Sequence, residues 1–204
     1  MAPPLPPKQL GIRLGSAIAR VNLACFIDLC CPFSKKIFVR LNEVHRWSES
    51  KYPGGFSVNF LLTPQPWHPQ SPILTESVLA VQKVNGNDTV ALSYMDKLFE
   101  QIEEFYDDSA YTKTRAQMHL ELAEIAKEFV DKELFLQNLA YKVVEGSRNT
   151  GNETTQDLKW LVKYHRSQGV HVTPTCFINN IEAGQISSGW ELSQWQELLE
   201  PMCK

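Results

Sequence analysis

Residues 21–38 read VNLACFIDLCCPFSKKIF, and the hydrophobic period changes in the middle of them. VNLACFI (21–27) is a short apolar run bounded by polar residues, which predicts a buried strand. From Pro32 onward the apolar residues Phe33, Ile37, Leu41 and Val44 recur at helical spacing, and proline suits a first helical turn. YPGG (52–55) ends that helix, and FSVNFLLT (56–63) supplies a second apolar strand. Strand, helix, strand over this length predicts a βαβ unit with parallel strands and a right-handed crossover. Cys31 then stands at the helix N-terminus, where unpaired N–H groups and the positive dipole end favour a thiolate.

The rest of the chain extends this plan. From about residue 72 to 168 the pattern is helical, with apolar stripes such as Leu74, Val78, Val81 and Met118, Leu122, Ile125, Phe129. EGSRNTGNETT (145–155) is the most polar connection in that block. Strand character returns at TPTCFIN (173–179), followed by a turn around NNIEAG, a short strand near Ile186 and a last helix from Trp190. The expected fold class is α/β, a βαβ-(helical insertion)-ββα plan. Its divisions are a Pro-rich tail over 1–17, a core over 18–71 and 169–204, and a helical insertion over 72–168.

Composition narrows the function. With 43% hydrophobic and 21% charged residues in a chain of 204, one domain with a sizeable core is expected. A net charge of −3 supplies no basic field, so nucleic acid is not an expected partner. No apolar stretch approaches the ~18 residues of a membrane span, so none is expected. MAPPLPPKQLGIRLG lacks the charged start and apolar centre of a secretory signal. The five cysteines (25, 30, 31, 176, 203) form no ladder of spacings, which speaks against a stapled extracellular fold. The expected compartment is cytoplasmic. His45, His119, His165 and His171 show no metal-ligand spacing with the cysteines, and no zinc site is inferred.

FIDLCCPFSKKIF together with GVHVTPTCFINN resembles the thioredoxin superfamily, in particular its DsbA-like branch with a helical insertion. The resemblance spans roughly residues 18–202. The family's cysteine-Pro-x-x motif falls on Cys31 to Ser34, and its cis-proline loop on Thr173-Pro174. QPWHPQS and ISSGW also resemble a largely fungal subgroup of DsbA-like proteins. The departure is Ser34, which stands where the redox pair of the family has its second cysteine. Asp28, Pro32, Phe33 and Ser34 also fit the pattern of kappa-class glutathione transferases and 2-hydroxychromene-2-carboxylate isomerases, which share this fold and carry serine where this chain has Cys31.

In a parallel βαβ unit both strands end on one edge of the sheet, where ligands of open α/β sheets bind. Cys31, Trp67 and His68, Thr173 and Pro174, and Ser187 and Ser188 are all expected there. Cys31 is the expected nucleophile, with Ser34 donating a hydrogen bond to its thiolate. Cys30 is a poor redox partner, because a disulfide between adjacent residues lies outside ordinary geometry. Cys25 points into the sheet, Cys176 packs as a small hydrophobe or reaches Cys31, and Cys203 is exposed and outside the mechanism. The resemblance implies that Pro174 is cis and that Thr173 offers its backbone to an extended peptide or to glutathione. Phe33, Trp67 and His68 are candidates for a substrate pocket, although Trp67 also reads as a core residue. His68 is suited to moving a proton. Ser187 and Ser188 either cap the last helix or hold a ligand carboxylate.

Three functions stay open. The first is a single-cysteine thiol oxidoreductase acting on a small thiol or disulfide or a protein disulfide, with glutathione as co-substrate and no tightly bound cofactor. The second is a glutathione-dependent transferase or isomerase of kappa type. The third is a non-catalytic thioredoxin-like binding module.

Overall fold

The computed structural model describes residues 5–204. The first four residues of the expected Pro-rich tail lie outside that range. The elements are β1 (Ile12–Gly15), β2 (Val21–Ile27), α1 (Pro32–Lys51), β3 (Phe56–Leu62), α2 (Ser71–Asn85), α3 (Asp88–Glu100) and α4 (Asp107–Ala110). Then come α5 (Arg115–Ala126), α6 (Lys132–Leu139), α7 (Thr155–Ser167), β4 (Thr175–Ile178), β5 (Ile181–Glu182) and α8 (Leu192–Cys203). The βαβ-(helices)-ββα plan of the sequence is present.

One five-stranded sheet carries the fold, in the order β1-β3-β2-β4-β5. β2 and β3 are parallel; every other pair is antiparallel. Every residue of β3 is buried, because helices cover both faces of the sheet. On one face Phe38 of α1 packs against Phe60, ring centroids 4.8 Å apart, and against Phe99 of α3 at 5.0 Å. On the other, Phe26 meets Tyr164 of α7 at 5.9 Å and Phe177 at 5.5 Å. The helical block has its own aromatic centre, where Tyr94 meets Phe129 and Phe135.

Two elements differ from the sequence reading. The tail read over 1–17 contains strand β1, which pairs with β3 along Ile12–Gly15 and buries Ile12. It is delimited by Gly11 and Gly15 at φ +100° and +94°, and a Cβ at Gly15 would lie 3.0 Å from the Phe56 carbonyl oxygen. The strand expected near Ile186 lies instead at Ile181–Glu182. Asn179 and Asn180 both adopt positive φ (48° and 70°), so a two-residue hairpin turn returns the chain at once. Ile186 is in the turn that follows, its N–H bonded to the Ala183 carbonyl.

Candidate active site

β2 ends at Ile27 and the chain turns sharply before α1 begins. The Cys31 N–H closes the turn on the Asp28 carbonyl at 3.0 Å, and the Cys30 N–H bonds Asp28 Oδ1 at 2.9 Å. Cys31 is the N-cap of α1, extended at φ −87° and ψ 120°, and its carbonyl accepts the Lys35 N–H. Its side chain does not cap the helix. The thiol points across to the loop before β4, where Sγ lies 3.5 Å from the Thr173 carbonyl oxygen. The Thr173-Pro174 bond is cis. β4 runs antiparallel to β2, so its first residues arrive at the edge where β2 ends. Cys31 is 5% exposed, Phe33 in the first turn of α1 61%.

Ser34 is fully buried, and its Oγ accepts the Asp28 N–H at 3.1 Å. The expected bond from Ser34 to the Cys31 sulfur is replaced by this one: the first turn of α1 tucks the hydroxyl under the β2 exit, while the thiol faces Thr173. Burial, with the charge of Asp28 adding to it, pushes the Cys30 thiol well up. Cys30 is thereby held as a neutral thiol.

The polar centre of the site is Asp28, which the sequence reading used only as a motif position. Its carboxylate is buried and accepts four hydrogen bonds. Oδ1 takes the Cys30 N–H and the Ser71 hydroxyl (2.6 Å); Oδ2 takes the Gln65 N–H (2.9 Å) and His68 Nδ1 (2.8 Å). One side chain thus ties the β2 exit, the β3 exit and the start of α2 together. A carboxylate only accepts, so His68 carries its proton on Nδ1 and leaves Nε2 free. The sequence signal for Asp28 was a single acid directly after an apolar run; its partners Gln65, His68 and Ser71 all lie in the QPWHPQS stretch, but nothing in the sequence joined that stretch to Asp28.

His68 also lines a cleft of about 400 Å³ with Cys30, Pro32, Gln70, Tyr106, Asp107 and Asp108. Gln70 fixes its floor by donating to the Phe105 carbonyl at 2.6 Å and to Asp107 at 3.2 Å. Burial first, then the charge of Glu103, raises the Tyr106 hydroxyl above its ordinary pKa. The helical block therefore forms one wall beside the α1 N-terminus. Trp67 is 54% exposed, its ring edge-on to His68 at 6.2 Å, so its reading as a core residue is corrected.

Ser187 and Ser188 lie on the opposite flank. Ser188 borders a groove along α1 with Pro32, Lys35, Lys36, Val39 and Arg40. Ser187 Oγ accepts the Gly189 N–H at 3.1 Å. Neither serine caps α8: Glu191 does, in a capping box with Gln194. Cys176 does not reach Cys31 but faces Cys25, Sγ to Sγ 3.6 Å. Cys203, expected exposed, is partly buried with its Sγ turned toward the Gly55 carbonyl. Among the described residues no group of three or more His, Cys, Asp or Glu is placed to hold a metal ion, and no helix is long and apolar enough to cross a membrane.

Among solved structures the chain is similar to a Pseudomonas syringae protein proposed to be a protein-disulfide isomerase, at 23% identity and a TM-score of 0.74 over 93% of this chain and 97% of that one. It is similar also to the thiol-disulfide exchange protein alpha-DsbA2 of Wolbachia pipientis (15% identity, TM-score 0.66, 93% and 86% covered). DsbA of Chlamydia trachomatis matches at 13% identity and a TM-score of 0.63, over 97% and 96%. No family model matches the chain, and no curated protein does. At these identities the likeness is one of fold: a thioredoxin-like core with the helical insertion of DsbA-like proteins.

Proposed function

We propose that this chain is a thiol-disulfide oxidoreductase of DsbA type that works through Cys31 alone. The observation that carries the reading is the placement of the Cys31 thiol at the N-terminus of a 20-residue helix, 3.5 Å from the carbonyl of the residue preceding Pro174. The sulfur of Cys31 attacks one sulfur of a substrate disulfide; that S–S bond breaks and the other sulfur leaves as a thiolate that takes up a proton. An outside thiol, such as glutathione, then attacks the mixed disulfide, forms a new disulfide with the substrate half and returns Cys31 as the thiolate. No internal thiol resolves it, because position 34 is serine and Cys30 is held neutral by burial. The names of the solved relatives, with thiol-disulfide exchange among them, support the same chemistry.

In this reading the backbone of Thr173 orients an extended substrate beside the thiol. Phe33 and Trp67, both exposed, supply apolar contact, and Ser187 and Ser188 with Lys35 and Lys36 receive a carboxylate of a glutathione-sized ligand. His68, held by Asp28 through Nδ1, takes a proton from solvent at Nε2 and passes it to the leaving thiolate. The second reading, a glutathione-dependent transferase or isomerase of kappa type, is favoured by the cleft between α1 and the helical block. Its acidic lining by Asp107 and Asp108 fits an apolar electrophile poorly.

The test is trapping. Incubation with oxidised glutathione should place one glutathionyl group on Cys31, found by intact mass and peptide mapping, and reduced glutathione should remove it. Conjugation of glutathione to an aromatic electrophile, with no mixed disulfide on Cys31, would establish the transferase instead. Neither activity would leave a binding module.

A further inference from the structure

One row of residues runs straight across the sheet. Ile12 of β1 pairs with Phe60 of β3, Phe60 with Cys25 of β2, and Cys25 with Cys176 of β4. Residues in register share a face of the sheet. Phe60 carries Phe38 of α1, so the two thiols lie side by side on the face that α1 covers. Their sulfurs are 3.6 Å apart, and both are free thiols.

The backbone shows how closely they are held. The Cys176 carbonyl accepts the Ala183 N–H at 2.9 Å, which turns the polar groups of that residue toward β5 and away from β2. Three steps along the ladder, the Asn179 N–H bonds the Asn22 carbonyl at 2.9 Å, which gives the same phase. Cys25 and Cys176 are thus a non-hydrogen-bonded pair, the narrow kind, with Cα atoms about 4.5 Å apart. A disulfide accepts Cα separations of roughly 4.4–6.8 Å. Rotation about χ1 closes the gap, and neither strand has to move far.

We propose that Cys25 and Cys176 are a second dithiol couple, which a hydroperoxide converts to a cross-strand disulfide without the participation of Cys31. Cys176 meets the oxidant first, being 5% exposed where Cys25 is fully enclosed. Its sulfur attacks one peroxide oxygen, the O–O bond breaks, and the leaving oxygen departs as water with the thiol proton. Cys176 is then a sulfenic acid. The sulfur of Cys25 attacks it, the S–O bond breaks, and a second water leaves with the Cys25 proton. Two thiols lose two electrons and become one disulfide; hydrogen peroxide gains them and becomes two waters. Burial, reinforced by Cys176, pushes the Cys25 thiol up, so Cys25 waits as a neutral thiol until its neighbour is activated. The product would join β4, which follows the Thr173-Pro174 loop, to β2, which delivers Cys31. The oxidation state of the sheet would thereby be felt at the site without any change in the side chains of the site itself.

The experiment uses the full chain. Folded protein is treated with hydrogen peroxide, quenched, denatured in the presence of an alkylating agent, digested without reductant and mapped by mass spectrometry. The expected result is a peptide pair joining Cys25 to Cys176, rising from a trace to the main form of both residues, with the same yield in a Cys31→Ser variant. Full alkylation of Cys25 and Cys176 after treatment would overturn the proposal. So would sulfinic or sulfonic acid at Cys176 without the cross-link, or a cross-link that forms only when Cys31 is present.

Discussion

Cys25 and Cys31 are six positions apart, yet the fold gives them opposite surroundings. Cys25 sits in the middle of β2, enclosed beneath α1, and its sulfur faces another thiol. Cys31 sits where β2 has ended and α1 begins, against a backbone carbonyl and within reach of solvent. The first environment penalises a thiolate by desolvation; the second adds the N-terminal dipole of a long helix. In the proposed function the same side chain is the nucleophile at position 31 and a shielded thiol at position 25, so that position along strand and helix, not residue type, sets its reactivity.

The comparison breaks most visibly at Cys31. Cys31→Ser should reduce disulfide exchange to background, a loss of roughly 100-fold or more, because a hydroxyl is a far poorer nucleophile at neutral pH. Cys25→Ala should leave the exchange rate nearly unchanged while costing about 1 kcal/mol of stability for the cavity it opens. Turnover of glutathione disulfide and denaturant midpoints measure the two. A Cys25→Ala variant as inactive as Cys31→Ser would show that the two environments are not separate.

Alkylation sharpens the contrast with less effect. Each unit by which burial raises a thiol's pKa removes about tenfold of its thiolate at pH 7. Cys25 and Cys30 are both raised, so in the folded protein each should lag Cys31 by at least about tenfold in iodoacetamide labelling. Residue-resolved labelling rates decide it. Cys30 labelled ahead of Cys31 would move the nucleophile to its neighbour.

The contrast was only partly visible beforehand. β2, α1 and β3 were legible because the apolar period changes at Pro32 and stops at YPGG. β1 was not: four residues ending in a glycine hold too few apolar positions to show alternation, and only pairing with β3 makes them a strand. The position of β5 depended on two asparagines adopting positive φ, a choice that composition permits but does not require. Cys31 and the Thr173-Pro174 loop were legible as motifs. The opposition of Cys25 and Cys176 was not, since register is a property of paired strands. Nor was the Asp28 cluster, three of whose four donors come from segments more than thirty residues away.

That cluster gives the next prediction. Asp28→Ala leaves four donors without their acceptor in a buried site, which should cost about 3–5 kcal/mol. Asp28→Asn keeps the shape and one acceptor oxygen and should cost about 1–3 kcal/mol. Urea denaturation followed by circular dichroism measures both. Because Asp28 fixes the turn in front of Cys31, the Asn variant should also slow exchange more than it slows labelling of the unfolded chain. An Ala variant as stable as the parent would mean that the cluster is solvated and does not organise the site.

The smallest expected effect is at His68. Its Nδ1 is fixed by Asp28, and Nε2 is the atom left to serve the cleft beside Cys30 and Pro32. If it protonates the thiolate that leaves during attack by Cys31, the benefit depends on how badly that thiolate needs a proton. An aliphatic thiolate such as that of glutathione is a poor leaving group, while an aromatic thiolate leaves unaided. His68→Gln retains a side chain able to meet Asp28 but cannot donate a titratable proton. It should therefore slow exchange with glutathione disulfide about 3- to 10-fold, at the weak end of general acid catalysis, and leave exchange with an aromatic disulfide unchanged. A purely structural histidine would lower both rates by the same factor, because a displaced Cys31 is displaced for every substrate. Equal losses would therefore remove His68 from the proton path while leaving the nucleophile at Cys31 intact.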